Sequence, residues 1–317
     1  MSSDGAALGA RLRERDLSAA PAALNLLEST APAERDQSGA LMREVSPAAL
    51  GGEAAGYLIG LTGPPGAGKS TLLSALLHAW RAQDRSVAVL AVDPSSRRSG
   101  GSLLGDRARI DFDPADRRVL IRSTAAGERL GGLARATRPT AHALAAAFDL
   151  VVIETVGVGQ AETEVADVAD TIVVVVQPGS GDVLQFLKAG IMEIPDVLVV
   201  TKADLGQIAT RTRRDLSAAL RSLGSATTPV LAVSSLSPPT GVQELVDMLD
   251  ERRAGLDVSK RRLRARRAGA LSEFVCEHGE RGLRALGGRA AAERLLAEQE
   301  PGLEVPALIA VLERGLG

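Results

Sequence analysis

Along the middle of the chain, short apolar runs alternate with longer stretches of helical spacing. The runs are Tyr57–Thr62, Ser86–Val92, Val119–Ile121, Leu150–Ile153, Thr171–Val176, Val197–Thr201 and Val230–Val233. Stretches such as Val173–Val176 are apolar throughout, as strands of a parallel sheet covered on both faces should be. Strand and helix alternating at this interval predict a doubly wound, mostly parallel α/β sheet. Residues 1–50 read differently: Leu8 and Leu12, then Leu24, Leu26 and Leu27, among Ala, Glu and Arg with prolines at 21, 32 and 47, predict short helices. Beyond Leu249 the strand pattern stops and residues 252–317 read as helical. The division expected is a helical extension over 1–50, a sheet domain over 51–254 and a helical arm over 255–317.

The first strand runs into Gly63-Pro64-Pro65-Gly66-Ala67-Gly68-Lys69-Ser70-Thr71, followed by Leu72, Leu73, Leu76 and Leu77 at helical spacing. That is GxxxxGKS in its strand–loop–helix setting, the phosphate-binding loop of P-loop NTPases. Glycines allow the tight bend that turns successive N–H groups toward phosphate oxygens, and the helix adds its positive end. Lys69 is expected to reach the β and γ phosphates, and the Ser70 hydroxyl to bind Mg²⁺. Mg²⁺ favours oxygen ligands, so carboxylates should lie nearby. Asp93 and Glu154 each end a strand at the carboxyl edge of the sheet, where ligands bind in this architecture, and Asp106 follows in the loop after Asp93. Helix capping is the alternative use for such a carboxylate.

Glu154-Thr-Val-Gly157 stands where guanine-nucleotide switches carry an acidic-x-x-Gly element, and Gly157 can offer an unobstructed N–H to a γ phosphate. Thr201-Lys202-Ala203-Asp204 resembles the Asn-Lys-x-Asp element of GTPases. Asp204 can accept from guanine N1 and N2, a donor pair that adenine lacks. Lys202 can lay its aliphatic stem on the base. One strand later, Val233-Ser234-Ser235 matches a final base-binding loop.

Composition narrows the classes. The chain has 317 residues, 45% hydrophobic and 24% charged, so it can build a sizeable core. Its 37 basic and 39 acidic residues nearly cancel, which argues against a nucleic-acid coat. Aromatics are 2%, and only Lys69, Lys188, Lys202 and Lys260 are lysine in an arginine-rich chain. Lone Cys276 excludes an intrachain disulfide and any CxxC metal site. No secretion signal is seen, and no apolar run approaches the ~18 residues of a spanning helix, so the expectation is a cytoplasmic protein without membrane or nucleic-acid partners. The basic stretch Lys260–Arg267 lacks interleaved aromatics and reads as a solvated or partner-facing helix.

Several strings together resemble the MeaB-type GTPases: Val92-Asp-Pro-Ser-Ser96, Gly100-Gly-Ser-Leu-Leu-Gly-Asp-Arg107, Leu130-Gly-Gly-Leu-Ala-Arg135, Glu154-Thr-Val-Gly-Val-Gly-Gln160 and Gly181-Asp-Val-Leu-Gln185 through Lys188. The likeness covers roughly residues 50–250. It implies a SIMIBI-class GTPase that uses GTP, GDP and Mg²⁺. It further implies a chaperone that gates adenosylcobalamin loading of a B12-dependent acyl-CoA mutase, such as methylmalonyl-CoA mutase, and protects it. The family pattern puts Ser70, Asp93, Asp106 and Glu154 at its Mg²⁺ and switch positions and Lys188 in a third switch loop, which together with Lys69 and Glu154 completes the catalytic set implied. It also implies a homodimer built through residues 255–317, whose apolar positions Leu263, Leu271, Phe274, Val275, Leu283, Leu286, Leu295 and Leu296 need a partner surface. Two departures stand out: Thr201 where Asn is common, and the run Ala125-Ala-Gly-Glu-Arg129. Two other classes share the loop. A small-molecule kinase or transport ATPase has no use for Asp204. A nickel-delivery GTPase needs His and Cys ligands, and Cys276, His78, His142 and His278 are the whole supply.

Overall fold

A computed structural model describes residues 4–93, 110–125, 136–155, 161–179, 195–222 and 224–316. The chain divides into two compact units. The larger, Gly56–Ala141 with Phe148–Leu256, holds the sheet; the other gathers residues up to Ala55, His142–Ala147 and Asp257 onward.

In the sheet unit, seven strands are all parallel: β1 (Tyr57–Thr62), β2 (Val87–Asp93), β3 (Val119–Ala125), β4 (Leu150–Thr155), β5 (Thr171–Val176), β6 (Val197–Val200) and β7 (Val230–Ala232). They lie in the order β3-β2-β4-β1-β5-β6-β7. This is the doubly wound parallel sheet expected of a P-loop NTPase. β1, β4, β5 and β6 are buried at every position, which is why their sequences carry no alternation. Helix α5 (Lys69–Ala82) follows β1 and buries Leu72, Leu73, Leu76, Leu77 and Trp80 on one face. Trp80 is 1% exposed and belongs to the core formed with β1, β2 and the later helix α9 (Val242–Gly255). The unit also holds α7 (Ala161–Ala166), α8 (Gln207–Ser222) and the start of α6 (Thr137–Ala147), whose residues from His142 on belong to the other unit.

The amino edge of the sheet is closed by acidic side chains. Asp170 Oδ2 accepts from the Leu58 amide at 3.0 Å, Asp196 Oδ2 from that of Ile172 at 2.8 Å, and Asp149 Oδ2 from that of Ser86 at 2.8 Å. Arg85 forms a two-pronged bond to Asp250, both arms 2.6 Å, and Arg252 bonds Asp196. Tyr57 sits at the same edge, its hydroxyl donating to Thr171 Oγ1, and burial pushes its phenol up to about 12. With those groups committed, the chemistry is left to the opposite edge.

The helical unit contains α1 (Gly5–Arg13), α2 (Ala20–Glu28), α3 (Arg35–Glu44) and α4 (Pro47–Leu50), then α10 (Val258–Ala285), α11 (Arg289–Ala297) and α12 (Val305–Arg314). Leu271, Phe274, Leu283, Leu296, Leu308 and Leu312 form its C-terminal core. Of the apolar positions that the sequence offered to a second subunit, Leu271, Phe274, Leu283 and Leu296 are buried among the C-terminal helices, with Val275, Leu286 and Leu295 packed around them, while Leu263 is half-buried outside this core. The basic stretch also departs from expectation. Arg262 and Arg266, one turn apart, are 3% and 1% exposed. Arg262 donates to the Ala54 carbonyl at 2.7 Å, and Arg266 grips Glu53 at 2.8 and 2.9 Å and the Pro301 carbonyl at 2.9 Å. Two of its charges are therefore internal fasteners rather than a solvated face. His142 is also buried, with Nδ1 3.6 Å from Glu304. Among the described residues no helix is long and apolar enough to cross a membrane.

Candidate functional site

Three loops at the carboxyl edge of the sheet carry the candidate residues. The first is Gly63–Gly68, between β1 and α5. Gly63 has φ +146°, and a Cβ there would stand 2.1 Å from the Val175 carbonyl oxygen, so no other residue fits against β5. Gly68 has φ +89° and precedes the first turn of α5. Pro64 is half-buried, Pro65 and Gly66 are exposed, and Ala67 is fully buried. Lys69 is 8% exposed, and its ammonium lies over the loop, 2.7 Å from the Gly63 carbonyl and 3.2 Å from that of Pro64. Thr71 is exposed one residue beyond Ser70. The loop thus gathers glycine amides, an ammonium and a helix start, the chemistry of an anion cradle.

The second group is at the end of β4. Glu154 is 5% exposed, and its Oε1 accepts from Ser70 Oγ at 2.9 Å, across 84 residues of chain. Beside it, Thr155 Oγ1 donates to Thr62 Oγ1 at 2.8 Å, tying the ends of β4 and β1 together. Ser70 is further held because Ser74 Oγ donates to its carbonyl at 2.9 Å and itself accepts from the Asp111 amide at 2.8 Å. A serine hydroxyl and a carboxylate meeting beside a phosphate loop are hard oxygen donors of the kind Mg²⁺ takes.

The third group lies after β6 and β7. Asp204 Oδ1 accepts from Ser234 Oγ at 2.8 Å, so the two expected base-reading positions are brought into contact. Ser234 is 4% exposed and Ser235 half-buried. Lys202 has φ +53°, and its Nζ lies 2.6 Å from Gln177 Oε1 and 3.3 Å from the Gly66 carbonyl. A lysine in that region of backbone space is uncommon. Thr201 is turned elsewhere: its hydroxyl donates to the Ala67 carbonyl at 2.6 Å.

Asp106, Gly157 and Lys188 lie outside the described residues, as does the side chain of Asp93, whose backbone ends β2 in register with Ala125. The run 126–129 does too. The sequence reading passed over Thr62, Thr155, Ser74 and Gln177. Each has a hydroxyl or amide next to a motif residue, but only the fold reveals which hydroxyls meet.

The family model for methylmalonyl Co-A mutase-associated GTPase MeaB matches residues 5–283. A Pyrococcus abyssi protein named as a GTPase is 40% identical over 272 residues, 84% of this chain and 81% of its own. A Mycobacterium tuberculosis protein, also named as a GTPase, is 41% identical over 254 residues, 78% of this chain and 74% of its own. The methylmalonic aciduria type A homolog of Mus musculus, described as mitochondrial, is 40% identical over 202 residues, 61% of this chain and 48% of its own. A crystal structure described as an LAO/AO transport system kinase superposes with a TM-score of 0.66 at 27% identity, covering 98% of this chain and 96% of that one.

Proposed function

We propose a function that starts from kinship: the chain belongs to the MeaB family of methylmalonyl Co-A mutase-associated GTPases and is itself a P-loop GTPase. On that premise it uses GTP hydrolysis to gate adenosylcobalamin loading of a B12-dependent acyl-CoA mutase and to protect that enzyme. The observation that carries the nucleotide half is the convergence of Lys69, the Ser70–Glu154 pair and the Asp204–Ser234 pair on one sheet edge. The mutase half rests on the family.

In this reading the amides of Gly63–Lys69 and the Lys69 ammonium bind the phosphates, and Thr71 continues that turn. Ser70 and Glu154 would hold Mg²⁺, with Asp93 and Asp106 as the other acidic candidates; a bound ion would supply charge neutralisation at the phosphates. Gly157 senses the γ phosphate. Lys188 would supply a further positive charge when the mutase orders its loop. Asp204 takes the N1 and N2 protons of guanine while the Ser234 hydroxyl fixes its carboxylate, Ser235 offers its backbone N–H near O6, and the Lys202 stem covers the base. A kinase or transport ATPase would not need that base reader, which is the observation disfavouring it. In this reading the chain works in the cytoplasm as a homodimer.

Lys69→Ala is expected to abolish GTP turnover, because phosphoryl transfer depends on positioning and charge neutralisation. Pull-down with candidate B12 mutases in GDP and in a non-hydrolysable GTP analogue tests the chaperone role. Equal capture in both nucleotides, or none in either, overturns it. Light scattering of the full chain at micromolar concentration tests the homodimer.

A further inference from the structure

Thr201 occupies a place in the base-reading motif, yet its side chain serves the other end of the site. Its hydroxyl donates to the Ala67 carbonyl at 2.6 Å, with the Val176 carbonyl 3.2 Å away, and the residue is 4% exposed. Its backbone N–H is already spent on Val176 O at 2.9 Å. The Thr201 side chain also packs on Gly68: a Cβ there would find Thr201 Oγ1, Cβ and Cγ2 at 3.6 to 3.8 Å. The next residue repeats the pattern, since Lys202 Nζ approaches the Gly66 carbonyl at 3.3 Å. Two consecutive residues of the base motif therefore fasten two consecutive carbonyls of the phosphate loop.

We propose that Thr201 is a positioning residue for the phosphate loop, coupling its shape to the strand that presents the base reader; this rests on the nucleotide-site reading above. In a planar trans peptide the C=O and the following N–H point to opposite sides. By holding the Ala67 carbonyl, Thr201 fixes which way the Gly68 N–H points, and that amide is one of the donors of the anion cradle. Ala67 is wholly buried, so its carbonyl has no water to fall back on when the hydroxyl is removed. The loss would be felt by any nucleotide with a β phosphate, whatever its base. Asp204, three residues on, governs the base and not the loop.

The test uses the full chain and equilibrium titration with GDP, GTP and ADP for Thr201→Val, Thr201→Ser and Asp204→Asn. The valine variant keeps shape and removes the hydroxyl. It is expected to bind GDP and GTP about tenfold more weakly with the GDP-over-ADP preference kept, while the serine variant stays within about twofold of the parent. Parent-like binding by the valine variant overturns the proposal. So does a loss confined to guanine nucleotides, which would assign Thr201 to the base. Thr201→Ala takes the place of valine, with the same readings, if the valine chain melts early by circular dichroism. Should Asp204→Asn keep its guanine preference, the base-pocket reading fails and the Thr201 outcome still stands on its own.

Discussion

At the scale of single residues, the site is a set of paired side chains, and pairing decides what each substitution does. Asp204→Asn keeps the size and turns one acceptor into a donor, so GTP should weaken and xanthosine triphosphate, with a C2 carbonyl, should gain; competition binding checks this. Ser234→Ala removes the hydroxyl that orients Asp204 at 2.8 Å, and is expected to cost about fivefold in GTP affinity without a switch to xanthine. Glu154→Gln leaves Ser70 a neutral partner and should lower Mg²⁺-dependent turnover about a hundredfold. Outside the site, burial pushes the Asp116 carboxyl up, but the bonds it accepts from Arg81 at 2.6 Å and from the Arg118 amide at 2.9 Å, with the charges of both arginines, together outweigh burial and hold it below the ordinary 3.8. A depressed acid stabilises above its unfolded value and stops doing so as pH falls through the folded one. Asp116→Asn should therefore melt earlier than the parent at neutral pH, the gap closing below 3.8. The motif residues were legible because spacing around glycine and lysine has few other uses. Thr201 was not, since a hydroxyl at a known position says nothing about which carbonyl it meets.

At the scale of elements, the seven strands were legible because burial on both faces leaves uninterrupted apolar runs. Tyr57–Thr62 and Thr171–Val176 fall where the pattern put them. The β3 strand runs on to Ala125, four residues beyond the apolar run, because backbone pairing with β2 continues through Arg122 and Ser123 whatever their polarity. Strand order was not legible: β1 pairs with β4 and β5, partners settled by crossovers and not by local pattern. Helix α10 shows a second limit. Charge reads as solvent-facing in sequence, yet Arg262 and Arg266 point inward because acceptors wait there in Ala54, Glu53 and Pro301. Arg266→Ala leaves the Glu53 carboxylate, itself largely buried, without its partner and should destabilise the chain by about 3 kcal/mol in urea unfolding. Restoring neither charge, Glu53→Gln with Arg266→Met should recover part of that loss, since the desolvation of two ions is then avoided.

At the scale of the whole molecule, the two compact units draw differently on the chain: one is nearly continuous, the other is assembled from both ends. Removing residues 255–317 takes away Arg262, Arg266 and the core around Phe274, so the N-terminal helices lose the groups that hold Glu53 and Ala54. Limited proteolysis of that truncation should show early cleavage within residues 1–55, while GTP is still bound by the sheet unit. Uniform resistance along the chain would refute the dependence. A practical consequence follows from the burial of Trp80. It is the chain's sole tryptophan, and the sole tyrosine, Tyr57, is in the same unit. Indole emission excited at the red edge therefore reports the α5 core alone, blue-shifted while folded, and the helical unit is optically silent to it. Far-ultraviolet dichroism sees both. A melt in which the two signals part company separates the unfolding of one unit from that of the other without any label.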